Sequence, residues 1–180
     1  RPAQPHHGPL ARRAGEMTEP FWLTHARTYL GTAEIPGKET APVIARWLAS
    51  LKSWWRDDEQ PWCGTFVGAV LKECGLPVAK HWYRAKDWLN WGNILSEPIL
   101  GCIVVYERVG GGHVGFVVGK DAKGRIVTLG GNQGNKVSIV PFDSIRVVGY
   151  RWPENRFAEQ VAAGKLPLVD SSGKSSQGEA

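Results

Sequence analysis

Pro61-Trp62-Cys63-Gly64-Thr65-Phe66-Val67 is the stretch on which the reading of this chain turns, because it opens a helix with a cysteine in its first turn. Cys63, Phe66, Val67, Val70, Leu71 and Cys74 recur at the one-face spacing of an amphipathic helix. Gly75 is a helix stop and Pro77 forbids continuation, so the spacing predicts a helix from near Trp62 to near Glu73. A thiol at that start is either a small buried hydrophobe or a nucleophile. The unpaired N–H groups and positive dipole end of a helix start favour a thiolate, which points Cys63 toward chemistry and Cys74, at the other end, toward packing.

Working outward, the first half of the chain reads helical. Phe21, Trp22, Ala26, Tyr29 and Leu30 precede Gly31, and Val43, Ile44, Trp47, Leu48 and Leu51 form a second stripe after the Pro36-Gly37 loop. Asp57-Asp58-Glu59-Gln60 is an acidic approach to the cysteine helix, and Ala85, Trp88 and Leu89 suggest a short further helix ending at Gly92. From residue 102 the period changes to that of strands. Cys102 to Tyr106, His113 to Val118, Arg125 to Leu129, Val137 to Val140 and Arg146 to Tyr150 are β-rich runs separated by turns. Helices followed by such runs predict an α+β domain with helices packed on an antiparallel sheet.

The chain of 180 residues, 42% hydrophobic, is sized for one domain with a real core. Residues 1–16 read as a disordered or non-native arm, 17–157 as the folded domain, and 158–180 as a largely disordered C-terminal tail. No apolar run has the length of a membrane span and the N-terminus lacks the hydrophobic middle of a signal peptide, so neither insertion nor ordinary export is expected. Cys63 and Cys74 stand about 16 Å apart by helical rise and cannot pair. The net charge of +5 suits an anionic partner such as a wall polymer, while the scattered basic residues argue against nucleic acid. The histidines and carboxylates show no metal-ligand spacing, and no cofactor is expected.

A cysteine nucleophile needs a base and a group that orients the base. Among the five histidines, His113 begins a strand directly after Gly110-Gly111-Gly112, where a side chain can meet a helix start. If Gly119 pairs with Arg125 across the intervening turn, His113 faces Gly131, with Asn132 one step away. Asn132 is then either the acceptor that fixes the imidazole tautomer or a turn residue of Gly130-Gly131-Asn132-Gln133-Gly134-Asn135.

Asp58-Glu59-x-Pro61-Trp62-Cys63, Gly112-His113-Val114-Gly115-Phe116, Leu129-Gly130-Gly131-Asn132-Gln133 and Gly149-Tyr150-Arg151-Trp152-Pro153, in this order, resemble the NlpC-type and CHAP superfamily of bacterial and bacteriophage cell-wall hydrolases, in particular its small endolysin-like branch. The resemblance spans residues 19–153 and implies a papain-like α+β core with the nucleophile at a helix N-terminus. It implies Cys63 as nucleophile, His113 as base and Asn132 as the third residue. Cys102 stands where related sequences carry an aspartate, which removes an expected carboxylate.

The expected function is a monomeric peptidoglycan hydrolase, a cysteine peptidase or amidase, cutting an amide in or next to the stem peptide. Gln60 is the expected second oxyanion donor beside the Cys63 N–H, with Glu59, Trp62 and Trp82 against the substrate. The expected setting is a phage lysin made in the host bacterial cytoplasm and acting at the cell wall, or a virion component. A toxin effector with the same chemistry and a non-catalytic wall-binding module are the alternatives.

Overall fold

The computed structural model describes residues 17–37 and 39–171, and the expected arm 1–16 and the last residues, 172–180, lie outside the described residues. Three helices, α1 (Phe21–Arg27), α2 (Pro42–Ser50) and α3 (Cys63–Glu73), and a 3-10 helix, Ala85–Asn90, lead into the strands β1 (Asn93–Leu95), β2 (Ile103–Arg108), β3 (Gly111–Lys120), β4 (Ile126–Gly130), β5 (Ser138–Phe142) and β6 (Val147–Trp152). Helix α4, Phe157–Ala163, closes the order. The strands form one antiparallel sheet in the order β1-β6-β2-β3-β4-β5, so the chain is α+β as the change of period predicts. The ladder is more than a meander, because β6 returns to lie beside β2 and carries the unforeseen short strand β1 on its outer edge.

Helix α3 sits at the centre. Every residue from Cys63 to Leu71 is buried, so the predicted single stripe is only part of its apolar surface. Phe66 meets Phe116 of β3 on one side and Trp47 of α2 on the other. On a third side Gly64 has no room for a side chain, since a Cβ there would lie 2.0 Å from the carbonyl oxygen of Trp82. Gly75, at φ 71, ends the helix as predicted, with Leu76 N–H on Leu71 O at 2.9 Å.

Trp22, Trp47, Trp62, Trp88 and Trp152 are fully buried, each worth roughly 4–6 kcal/mol of gross apolar burial. Three of their indoles donate to backbone, Trp22 to the distant Gly101 O at 2.8 Å, Trp88 to Trp82 O at 2.9 Å and Trp152 to Arg156 O at 2.8 Å. The first ties α1 to the turn before β2, and the second fastens the 3-10 helix to the residues that precede it.

Two expectations are corrected here. Gly119 pairs with Val127, and Arg125 instead closes the turn, its N–H groups held by the Asp121 carboxylate at 2.9 and 2.7 Å. The register is therefore shifted by two residues at the hairpin, and by one beyond the bulge at Val118, where Val117 pairs with Thr128. The tail boundary at 158 also falls inside α4. Ala163 is fully buried, and residues 167–169 pair with Lys120, whose N–H donates to Pro167 O and whose carbonyl accepts from Val169, both at 2.9 Å. Seven residues are too few to show a helical period, and the pairing depends on a strand end far away in sequence.

Gly64→Ala should be among the most damaging single substitutions in the chain. Backbone faces the missing Cβ, so α3 or the 78–83 segment must move, at a cost of about 3 kcal/mol or more. Urea unfolding measures this, and a near-neutral result would mean that the two segments do not pack as described.

Candidate active site

The β3–β4 ladder stops at Phe116↔Leu129, three residues short of His113. Beyond that point β4 leaves through Gly130 and Gly131, and the start of α3 faces the opening. The Val114 backbone N–H is directed at the Cys63 sulfur, which places the thiol one residue from His113 on β3. Val114 follows His113 on β3, so the strand that carries the selected base passes the selected nucleophile, and both residues are almost wholly buried, Cys63 at 4% and His113 at 0% exposure.

The imidazole is held on three sides. Its ring lies nearly parallel to Phe142, 5.2 Å away, and to Tyr106, 6.3 Å away, while Tyr106 hydroxyl and Thr128 hydroxyl share a 2.6 Å hydrogen bond. Nε2 is 2.9 Å from Oε1 of Gln133. The Gln133 amide nitrogen donates to Ser138 O at 2.7 Å and Thr128 O at 3.3 Å, so the opposite end of the amide is the oxygen and must accept. His113 therefore carries its proton on Nε2 and keeps Nδ1 as a base.

The hydrogen bond that the sequence reading gives to Asn132 is made by its neighbour. Asn132 is buried at φ 56, a left-handed conformation that asparagine tolerates, and its Oδ1 makes no hydrogen bond among the described residues. Gly130 makes the Gln133 contact possible, since a Cβ there would stand 2.3 Å from Oε1 and 3.1 Å from His113 Nε2. A Cβ on Gly131 would meet Phe66 and the Trp62 ring at 2.6 and 2.9 Å. The Leu129-Gly130-Gly131-Asn132-Gln133 motif is thus a close passage of backbone between α3 and the imidazole, ending in an anchored amide.

The thiol is not the resting thiolate that a helix start suggests. Burial pushes the Cys63 pKa up, against the opposing pull of the Val114 and Gly64 backbone groups, the Arg108 charge and its own N–H. Cys102 is fully buried at the start of β2 and pushed up to about 12, with backbone and apolar surroundings in place of the carboxylate seen in related motifs. Cys74, half-buried, is raised by burial and by Glu73 beside it.

The residues expected to meet substrate separate. Trp62 is a core residue, 1% exposed, with its indole N–H on Glu34 Oε1 at 2.6 Å and its ring against Trp47. Trp82 is likewise buried, its ring 5.4 Å from Trp55. Glu59 and Gln60 are exposed, and Gln60 lines an open groove of about 400 Å³ with Trp54, Trp55, Asp57, Pro61 and Tyr83. Trp54 is 74% exposed at this groove, and the doublet Trp54-Trp55 just before the acidic loop was its signal in the sequence. Asp58 instead turns inward and accepts the Ala41 N–H at 3.2 Å. Among the described residues, His, Cys, Asp and Glu form no group of three or more that could hold a metal ion, and no helix is long and apolar enough to cross a membrane.

The CHAP domain family matches residues 55–132, a span that runs from the groove through α3 and β3 to the loop after β4. No curated protein matches the chain.

Reactivity of the three thiols should follow exposure. Iodoacetamide near pH 7 is expected to label half-buried Cys74 before Cys63 and Cys102, and labelling of Cys63 should accelerate as pH rises toward its elevated pKa. Peptide mass spectrometry after timed labelling gives the order. Cys63 reacting first at neutral pH would show that the thiol is more open and more ionised than the buried site allows.

Proposed function

We propose that this chain, a member of the CHAP/NlpC-type hydrolase superfamily, cleaves an amide in or next to the stem peptide of peptidoglycan with Cys63 as nucleophile, His113 as base and Gln133 as the residue that orients the base. The family membership points to a hydrolase of peptidoglycan in general. The observation that carries the finer reading is the amide of Gln133, pinned through its nitrogen to two carbonyls and through its oxygen to Nε2 of a histidine adjacent to the Cys63 contact.

Because the buried thiol is neutral at rest, the reaction starts by general base catalysis. His113 Nδ1 takes the Cys63 proton as the sulfur bonds to the carbonyl carbon, and the positive charge on the imidazolium is stabilised by Gln133 Oε1. The Cys63 backbone N–H, in the first turn of α3 where no intrahelical acceptor exists, is aimed at the developing oxyanion, with the Gln60 amide as a second donor from the groove. The imidazolium then protonates the leaving amine. Water, activated by the same histidine, cleaves the thioester and restores the thiol. Trp54, Trp55 and Tyr83 supply aromatic surface for the polymer on the approach to Cys63. The endolysin-like motifs favour a bacteriophage lysin as the biological setting, and a toxin effector would use the same site.

Zymography on purified peptidoglycan tests the activity, with Cys63→Ala expected to retain the fold and to lose clearing. The third residue is tested separately. Gln133→Ala should lower kcat on the order of 100-fold after correction for folded fraction, while Asn132→Ala should leave kcat within about twofold. Gln133→Glu should not rescue, because a carboxylate oxygen would then face the Thr128 and Ser138 carbonyls. The reverse ranking of Asn132 and Gln133 would return the orienting role to Asn132.

A further inference from the structure

Residues 77–83 lie between α3 and the 3-10 helix and separate two concavities. Tyr83 lines the aromatic groove beside Gln60, whereas Pro77 to His81 line a second cavity of about 400 Å³, flanked by Asp87, Trp91 and Glu154. The His81 and Tyr83 rings meet edge to face at 6.0 Å, so the two hollows are neighbours across this segment. The proposed reaction uses only the groove.

The second cavity is built on fixed groups, and its volume falls within the roughly 300–1,000 Å³ of small-molecule sites. The Trp82 carbonyl accepts the Trp88 indole N–H at 2.9 Å and fills the place of the missing Gly64 Cβ, which pins the segment to α3. Trp91, 7% exposed, donates its indole N–H to Pro77 O at 3.0 Å and forms an apolar wall with Val78 and Ala79. His81 Nδ1 lies 2.8 Å from Asp87 Oδ2, which fixes the imidazole in the lining. Asn90 and Glu154 join the same lining from exposed positions.

That lining selects by chemistry. Its carboxylates are Asp87 and Glu154, and its basic groups are Lys80 and the His81 imidazole, so it carries no surplus positive charge in either state of the imidazole. The nearest other cations are engaged elsewhere, Lys86 on Glu107 at 2.7 Å and the Arg84 guanidinium over Tyr83 at 5.6 Å. An anionic stem peptide gains little attraction there. His81, Asp87 and Glu154 form no group able to hold a metal ion. A neutral saccharide fits: its C–H faces suit Val78, Ala79 and Trp91, and its hydroxyls and acetamides both donate and accept. The Asn90 amide does the same, alongside Glu154 as acceptor and Lys80 as donor.

Resting on the peptidoglycan hydrolase reading above, we infer that this cavity is a saccharide subsite, which holds the glycan strand of the wall next to the groove that leads to Cys63. The enzyme then grips its polymer through sugar as well as through peptide.

The test is an NMR titration of the full chain with tetra-N-acetylchitotetraose, a neutral N-acetylhexosamine oligomer that carries no stem peptide. The Trp91 indole N–H resonance reports on the cavity and that of Trp54 on the groove. The oligomer should shift Trp91 saturably, with a Kd of about 1 mM or below. The double variant Asn90→Ala, Glu154→Ala, whose side chains are exposed and whose fold the same spectra check, should weaken binding about fivefold or more. A synthetic stem peptide without sugar should leave Trp91 in place. An oligomer that moves only Trp54, an affinity that the double variant does not change, or displacement of the oligomer from Trp91 by the stem peptide would each overturn the inference. Binding of the oligomer by a wild type that clears no wall in zymography would instead remove the hydrolase reading and, with it, the assignment of the cavity to a substrate strand.

Discussion

From Cys63 to Leu71 helix α3 has no solvent face, and the rest of the domain is arranged by the need to cover it. Trp47 of α2 and Phe116 of β3 close two sides through Phe66, and the carbonyl of Trp82 occupies the place where Gly64 has no Cβ. A helix start held this tightly cannot tilt or fray, so Cys63 has a fixed position against the Val114 N–H. Burial is what gives the Cys63 thiol its precision of placement.

The same burial reverses the first electrostatic expectation. A helix start contributes about 0.3–1 kcal/mol toward an anion, which is less than one pKa unit, whereas desolvation of a buried charged group is worth several units. Desolvation wins, and the thiol rests protonated. In the proposed reaction activation then falls to His113, a ring that Phe142 and Tyr106 stack against and whose Nε2 meets the Oε1 of a glutamine anchored through its amide nitrogen.

Much of this architecture was legible in the sequence where a signal was local. Gly75 and Pro77 mark the end of α3, the apolar stripe marks its inward face, and Gly110-Gly111-Gly112 before His113 marks a strand start able to present a side chain. Residues whose role depends on register were read one place off. Arg125 was counted as strand when the Asp121 carboxylate holds it in the turn, and Asn132 was chosen from an assumed register when the ladder ends at Phe116 and Gln133 reaches the imidazole. Trp62 and Trp82 were expected against the substrate, yet they face the core, and the exposed groove is lined by Trp54, Trp55 and Tyr83.

By itself, then, the sequence determined most element types and the α+β order and singled out a cysteine at a helix start and a histidine near a strand start, because periodicity, helix stops and residue chemistry are properties of short windows. Tertiary structure alone decided which amide meets His113, that the Cys63 thiol is buried with its pKa raised, and that Arg108 lies over Gly111. These outcomes depend on where the β3–β4 ladder breaks and on how closely backbones approach at Gly64, Gly130 and Gly131. Distances between segments far apart in the chain set them, and no local pattern of residues encodes such distances.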